Sequence, residues 1–210
     1  MSAAIMLRQR DSIHLMVDAA AYYDDGIVAC FMDKCVALPE MRCAVTVLGA
    51  SNWHFIIADA IRDNFASFDE IKAGIASLLE DLIDEHSENE AIGGRRIVGD
   101  VWCVGWSDER QGPDGFTIGI DRNLDEYNEQ VAAGNSDARR PFQIDMLGPL
   151  GLNWHPHPTG EQLWEAFRPH ALPQPDTMVP QIDLLHLLEI QRRMPFSKVA
   201  DAFCVGGYAL

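Results

Sequence analysis

The sequence predicts an α+β fold in which strands come first, two helices follow, and strands, a helix and a last strand complete the order. Three observations predict it. Two short apolar runs, 2–8 and 12–18, flank Gln9-Arg10-Asp11. Two consecutive segments, 52–66 and 70–86, carry apolar residues at helical spacing. Beyond Gly93-Gly94 the pattern returns to short strands.

The first two runs read as a hairpin with a three-residue loop, one of the common hairpin connections. Arg8 then faces Ser12, and Ser2 faces Asp18. Directly opposed residues hold their Cβ atoms about 4.5–5.5 Å apart. Ala3, Ile5 and Leu7 line one face, with Ile13, Leu15 and Val17 on the matching face of the second run. Ala4, Met6, His14 and Met16 make the other side scarcely more polar, so the sheet is expected to be covered on both faces. Residues 23–26 form a turn before a strand at 27–31. Further strands are expected at 33–38 and at 42–48, the latter ended by Gly49.

In the first helix Trp53, Ile57, Ala58, Ile61 and Phe65 share a side. Ser67 or Asp69 caps the second, whose stripe is Ile71, Ile75, Leu78, Leu79 and Leu82. Segments 96–106 and 116–121 read as a hairpin around Gln111-Gly112-Pro113-Asp114-Gly115. The stretch from about 137 to 178 is rich in Pro, Gly and His, with one short helix expected near 160–167. A longer helix at 181–193 carries Ile182, Leu185 and Leu188, and 202–210 reads as a strand. The whole is expected to form a single domain over 1–210, with 137–178 as an irregular insertion.

Composition narrows the function. The formal net charge is -16, from 32 acidic and 16 basic side chains, and such a surface repels a phosphate backbone. Nucleic acid is therefore not an expected partner. Cys30, Cys35, Cys43, Cys103 and Cys204 contain no C-x-x-C pair and lie mostly in apolar runs, as reduced thiols do in the cytoplasm. No stretch approaches the roughly 20 apolar residues that span a bilayer. Arg8, Arg10 and Asp11 interrupt the first apolar run too early for a signal peptide. A cytoplasmic protein with no membrane partner is expected.

The sharpest local feature is a spacing. Ser2, Asp18 and Lys34 stand at two equal intervals of sixteen, with Asp18 ending a strand. Together with the strand-then-glycine segment Ala44-Val45-Thr46-Val47-Leu48-Gly49-Ala50-Ser51, this resembles the proteasome β-subunit family, which includes the proteolytic subunit of the bacterial two-component protease. That family belongs to the N-terminal-nucleophile (Ntn) hydrolases. The resemblance covers roughly residues 2–122 and implies a four-layer αββα sandwich in a homo-oligomer.

It also implies a chemistry. Ser2, freed by removal of Met1, would supply Oγ as nucleophile and its own α-amine as general base. Lys34 would stabilise charge on the oxygen, Asp18 would hold Lys34, and the Gly49 backbone N–H would serve the oxyanion. Peptide or amide substrates would be cleaved through an acyl-Ser intermediate, without a cofactor or metal. The chain departs from the family in using Ser where Thr is usual. The family's supporting Ser-Gly and Asp have only Gly134-Asn135-Ser136-Asp137 as a match, which makes Ser136 a weaker supporting candidate. The alternative is a catalytically inactive relative with a structural or assembly role, as in a phage-like or multi-subunit particle. In that case Asp18 is a strand-end carboxylate and Lys34 its surface partner.

Other motifs have plainer readings. His155-Pro156-His157 has the spacing of an imidazole pair, yet two prolines and loop composition explain it without zinc. Asp121-Arg122-Asn123-Leu124-Asp125 begins like a calcium loop, then places Glu126 where Gly is required and Ala132 where Glu is required. The five tryptophans read as packing residues.

Overall fold

Every described strand finds an antiparallel partner. The structure, a computed structural model, describes residues 2–22, 28–49, 52–87, 99–120, 124–134, 140–168 and 170–194. In chain order the strands and helices are β1 (Ala4–Arg8), β2 (Ile13–Val17), β3 (Ala20–Tyr22), β4 (Val28–Phe31), β5 (Cys35–Leu38), β6 (Cys43–Gly49), α1 (Trp53–Asn64) and α2 (Phe68–Ser87). There follow β7 (Gly99–Ser107), β8 (Gly112–Gly119), α3 (Leu124–Ala132), β9 (Ile144–Met146), β10 (Leu152–His155), α4 (Gly160–Phe167) and α5 (Pro180–Arg192). The strands make a three-stranded sheet in the order β10-β1-β2, a five-stranded sheet β5-β6-β7-β8-β9, and a separate β3-β4 ribbon. Helices packed on antiparallel sheets make the fold α+β, as the sequence predicts.

The first hairpin is present with its register moved by one. Arg8 pairs with Ile13 and Ala4 with Val17, so Ser2 does not face Asp18. The Gln9 N–H donates to the Ser12 carbonyl (2.9 Å), closing the loop on Arg10-Asp11 rather than on three residues. A one-residue slip exchanges the faces of one strand relative to the other. Ile5 and Leu7 therefore share a face with Met16 and His14, while Ala4 and Met6 share theirs with Val17 and Leu15.

Those two faces enter different cores. Ala3, Ile5 and Leu7 are buried with Phe167, Leu184 and Leu187 of α4 and α5. Ala4, Met6 and Val17 are buried with Leu48 of β6 and with Trp102 and Val104 of β7. The opposite face of the five-stranded sheet, including Val45, Cys103 and Phe116, packs on Ile57, Ile61, Ile71, Ile75 and Leu79 of α1 and α2. Burying each such side chain is worth about 1.5–3 kcal/mol. Sheet and helix alike are held by this burial. Ser67 is the residue that caps α2, accepting from the Glu70 N–H at 3.2 Å.

The second hairpin turns earlier than expected. Ser107 pairs with Gly112, so the turn is Asp108–Gln111, with Gln111 at φ 51°. Gly112-Pro113-Asp114-Gly115 runs inside β8. The space between the sheets explains it: a Cβ on Gly115 would lie 2.7 Å from Ile13 Cδ1 and 2.8 Å from Met6 Sδ. Asp114, a turn former by composition, is instead fully buried against Arg8.

The Pro, Gly and His-rich stretch is more ordered than its composition suggests. It supplies β9 to the edge of the five-stranded sheet and β10 as the partner of β1, and then α4. Thr159 and Gln162 close a reciprocal capping box at the start of α4. The expected turn at 23–26 and strand at 202–210 lie outside the described residues.

Candidate active site

Three elements bring Ser2, Asp18 and Lys34 together. Ser2 precedes β1, Asp18 follows β2, and Lys34 precedes β5. Lys34 Nζ lies 2.9 Å from Asp18 Oδ1 and 3.2 Å from Ser2 Oγ. Its remaining donor direction is taken by the Ala20 carbonyl of β3. An ammonium has three N–H donors and no acceptor, so these contacts use its full capacity. Two acceptors fix the group in place, and the third is a hydroxyl.

Asp18 accepts three hydrogen bonds. Oδ1 accepts from the Ala3 N–H at 2.8 Å as well as from Lys34, and Oδ2 accepts from the Ala20 N–H at 3.3 Å. The shifted register makes this possible. With Ala3 rather than Ser2 alongside Asp18, the carboxylate grips the peptide that follows Ser2 and leaves the Ser2 hydroxyl to the lysine. The two residues share a link through Lys34, not a direct contact.

Burial sets the electrostatics. Asp18 and Lys34 are 1% and 6% exposed, whereas Ser2 is half-buried. Burial pushes the Asp18 carboxyl above its ordinary value, while the Lys34 charge and the N–H groups of Ala3 and Ala20 pull the other way. A buried pair of this kind is expensive to desolvate and is held by its hydrogen bonds.

Gly49 ends β6 at φ 123°, a backbone conformation that glycine adopts readily. Carrying the β5–β6 register one residue past Cys35–Thr46 places Lys34 opposite Val47, two residues before Gly49. Ser136 lies outside the described residues, as do 121–123 of the loop weighed for calcium. Among the described residues, no group of three or more His, Cys, Asp or Glu is placed to hold a metal ion.

Two neighbours of the site were invisible in the sequence. Thr46 of β6 donates its hydroxyl to the Lys34 carbonyl at 2.6 Å, and His54 of α1 meets the Asp33 carbonyl through Nε2 at 2.9 Å. Thr46 reads as one more β-branched strand residue and His54 as one more helical position, so no sequence signal separates them from packing residues.

No protein-family profile matches the chain, and no curated protein is significantly similar to it. Solved structures are similar. The Anbu (ancestral beta-subunit) Gly-1 mutant from Hyphomicrobium sp. strain MC1 is 12% identical with a TM-score of 0.59, over 100% of this chain and 79% of that one. The Anbu complex from Pseudomonas aeruginosa, a helical assembly, is 13% identical with a TM-score of 0.55, over 90% and 73%. BPH from Thiobacillus denitrificans, in complex with epoxomicin, is 13% identical with a TM-score of 0.51, over 99% and 97%. At these identities the likeness is one of fold, an α+β fold shared with proteasome-like structures.

Proposed function

We propose that this chain is an N-terminal-nucleophile amidohydrolase or peptidase that uses Ser2 once Met1 has been removed. The observation that carries the reading is the Lys34 ammonium, buried, held by Asp18 and Ala20, with its third donor on Ser2 Oγ. A fixed cation at an oxygen that develops negative charge is a recurring way to activate a hydroxyl.

The chemistry follows from these positions. The Ser2 α-amine, whose ordinary pKa is about 7.7–8.0, is a suitable base at neutral pH. It takes the Oγ proton as Oγ bonds to the substrate carbonyl carbon. The backbone N–H of Gly49 donates to the resulting oxyanion. Collapse breaks the C–N bond, and the leaving amine takes the proton back from the α-ammonium. Water, deprotonated by the same amine, then cleaves the Ser2 ester and releases the acid. Asp18 holds Lys34 throughout and anchors the Ala3 peptide.

The three clusters of buried side chains support a four-layer αββα order: α1 and α2, the five-stranded sheet, the three-stranded sheet, then α4 and α5. The chain is then a single domain over 1–210. The helical assembly of the Pseudomonas protein supports a homo-oligomer. No described helix is long and apolar enough to cross a membrane; the cytoplasmic location is part of the proposal.

The test is turnover of a panel of peptide amides by protein whose intact mass shows Met1 removed. Ser2→Ala must abolish hydrolysis, and Ser2→Thr must retain it. A Ser2→Ala protein that hydrolyses at the wild-type rate sinks the proposal. Absence of turnover in wild type and variant alike, with Met1 retained in cells, points to the silent assembly role.

A further inference from the structure

Lys34 is the last residue before β5, and residues 32–34 lie between the β4 and β5 ladders. A lysine in such a segment needs something other than a strand ladder to fix its backbone. Two side chains from different elements do so. The Thr46 hydroxyl donates to the Lys34 carbonyl (2.6 Å), and the His54 ring nitrogen Nε2 sits 2.9 Å from the preceding carbonyl, that of Asp33. A carbonyl oxygen only accepts, so His54 must carry its proton on Nε2. Thr46 is fully buried and His54 is 2% exposed, so water does not compete freely for either bond. Burial keeps the imidazole below its ordinary value. The Asp33 carbonyl opposes that, and the Lys34 charge adds to it.

We propose that Thr46 and His54 are positioning residues for Lys34, clasping two consecutive carbonyls so that the ammonium stays aimed at Ser2 Oγ. Neither touches the reacting atoms. β6 contributes one clasp and α1 the other, which ties the lysine to the five-stranded sheet and to the helix layer together. The kinetic part of the test rests on the hydrolase reading; the spectroscopic part does not.

The chain contains three lysines, Lys34, Lys72 and Lys198, so the lysine side chains labelled with 13C and 15N give few, assignable signals. Lys72, paired with Asp69, reports on the fold. Thr46→Val and His54→Phe remove a donor while nearly keeping shape; Thr46→Ser and His54→Gln keep a donor. The donor-less variants should shift or broaden the Lys34 ammonium signal with Lys72 unmoved. They should also lower kcat roughly threefold to tenfold at constant KM, about what one hydrogen bond supplies. The conservative variants should restore both. A Lys34 signal and kcat unchanged in Thr46→Val and His54→Phe, or no restoration by Ser and Gln, overturns the proposal. A second measurement needs no altered core: 15N shifts of the His54 ring in the wild-type chain must show the Nε2–H tautomer, and an Nδ1–H tautomer overturns it as well. Should wild type lack turnover, the hydrolase reading fails while the Lys34 signals still decide this one.

Discussion

Strand β1 has an ion pair with a buried carboxylate at each end, and the two are built differently. At the N-terminal end Asp18 takes N–H bonds from Ala3 and Ala20 along with the Lys34 ammonium, and Lys34 spends a donor on the Ser2 hydroxyl. At the C-terminal end Arg8 NH1 lies 3.0 Å from Asp114 Oδ1 and donates also to the Leu147 carbonyl. Asp114 Oδ2 has no hydrogen-bond partner among the described residues. Arg110 and Lys72 stand off at 3.4 and 3.8 Å. The Arg8 donors thus end on groups that only accept and never react, joining the three-stranded sheet to β8. The Lys34 donors include one that meets the Ser2 hydroxyl, the group proposed as nucleophile. A buried charge pair shows whether it serves structure or chemistry by where its spare donor goes.

Exchanging one oxygen for nitrogen in each carboxylate should separate the two pairs most widely. Asp18→Asn should lower turnover by at least about 100-fold, since Lys34 loses its counter-charge, on the scale seen when a fixed electrostatic partner is removed. Asp114→Asn should leave turnover per folded molecule nearly intact. It should cost about 3 kcal/mol in urea unfolding, the scale of breaking a buried pair. Equal losses of activity in both variants would mean that the two ion pairs do not differ in role.

Acid titration sharpens that difference at smaller amplitude. Burial pushes the Asp69 carboxyl up, but hydrogen bonds from Ser107, Lys72 and the Glu109 N–H outweigh this and hold it at about 2. Its folded value lies below its unfolded one, so its stabilisation is complete above about pH 4 and is lost as pH falls toward 2. Asp18 is shifted the other way, so its protonation favours the folded state while removing the charge that holds Lys34. Activity should therefore fall on the acid side before the urea midpoint does. Superimposed acid limbs for rate and stability would contradict this. Asp69→Asn should flatten the stability profile between pH 4 and 2.

The smallest effect concerns the inter-sheet gap. Gly115→Ala should destabilise by about 1 kcal/mol, the low end of overpacking, because Ile13 Cδ1 and Met6 Sδ must give way. Its kcat should not change.

The spacing of Ser2, Asp18 and Lys34 was legible because it is written in the sequence itself, and the short apolar runs declare the strands that Ser2 precedes and Asp18 follows. The register was not. A symmetric midpoint suggested a three-residue loop, whereas the Gln9 N–H to Ser12 carbonyl bond closes the turn one residue differently and moves the Asp18 grip from Ser2 to Ala3. The β7–β8 turn was misplaced for a similar reason. Gly112-Pro113-Asp114-Gly115 has turn chemistry, but it packs between the sheets, against Ile13 and Met6, with Asp114 bonded to Arg8, over a hundred residues away in sequence. Strands β9 and β10, of three and four residues, are too short to show a period and gain their identity from their neighbours. Thr46 and His54 act through backbone carbonyls, which no side-chain pattern records.

The proposed hydrolysis requires that Ser2 Oγ, beside Lys34, becomes acylated. Protein with Met1 removed should be mixed briefly with a panel of activated peptide esters, quenched in acid and mapped by mass spectrometry of its peptides. An acyl group on Ser2, present in wild type and lost in Ser2→Ala, is the result predicted. Turnover of those esters with no adduct on Ser2, or with the acyl group on another residue, would contradict it.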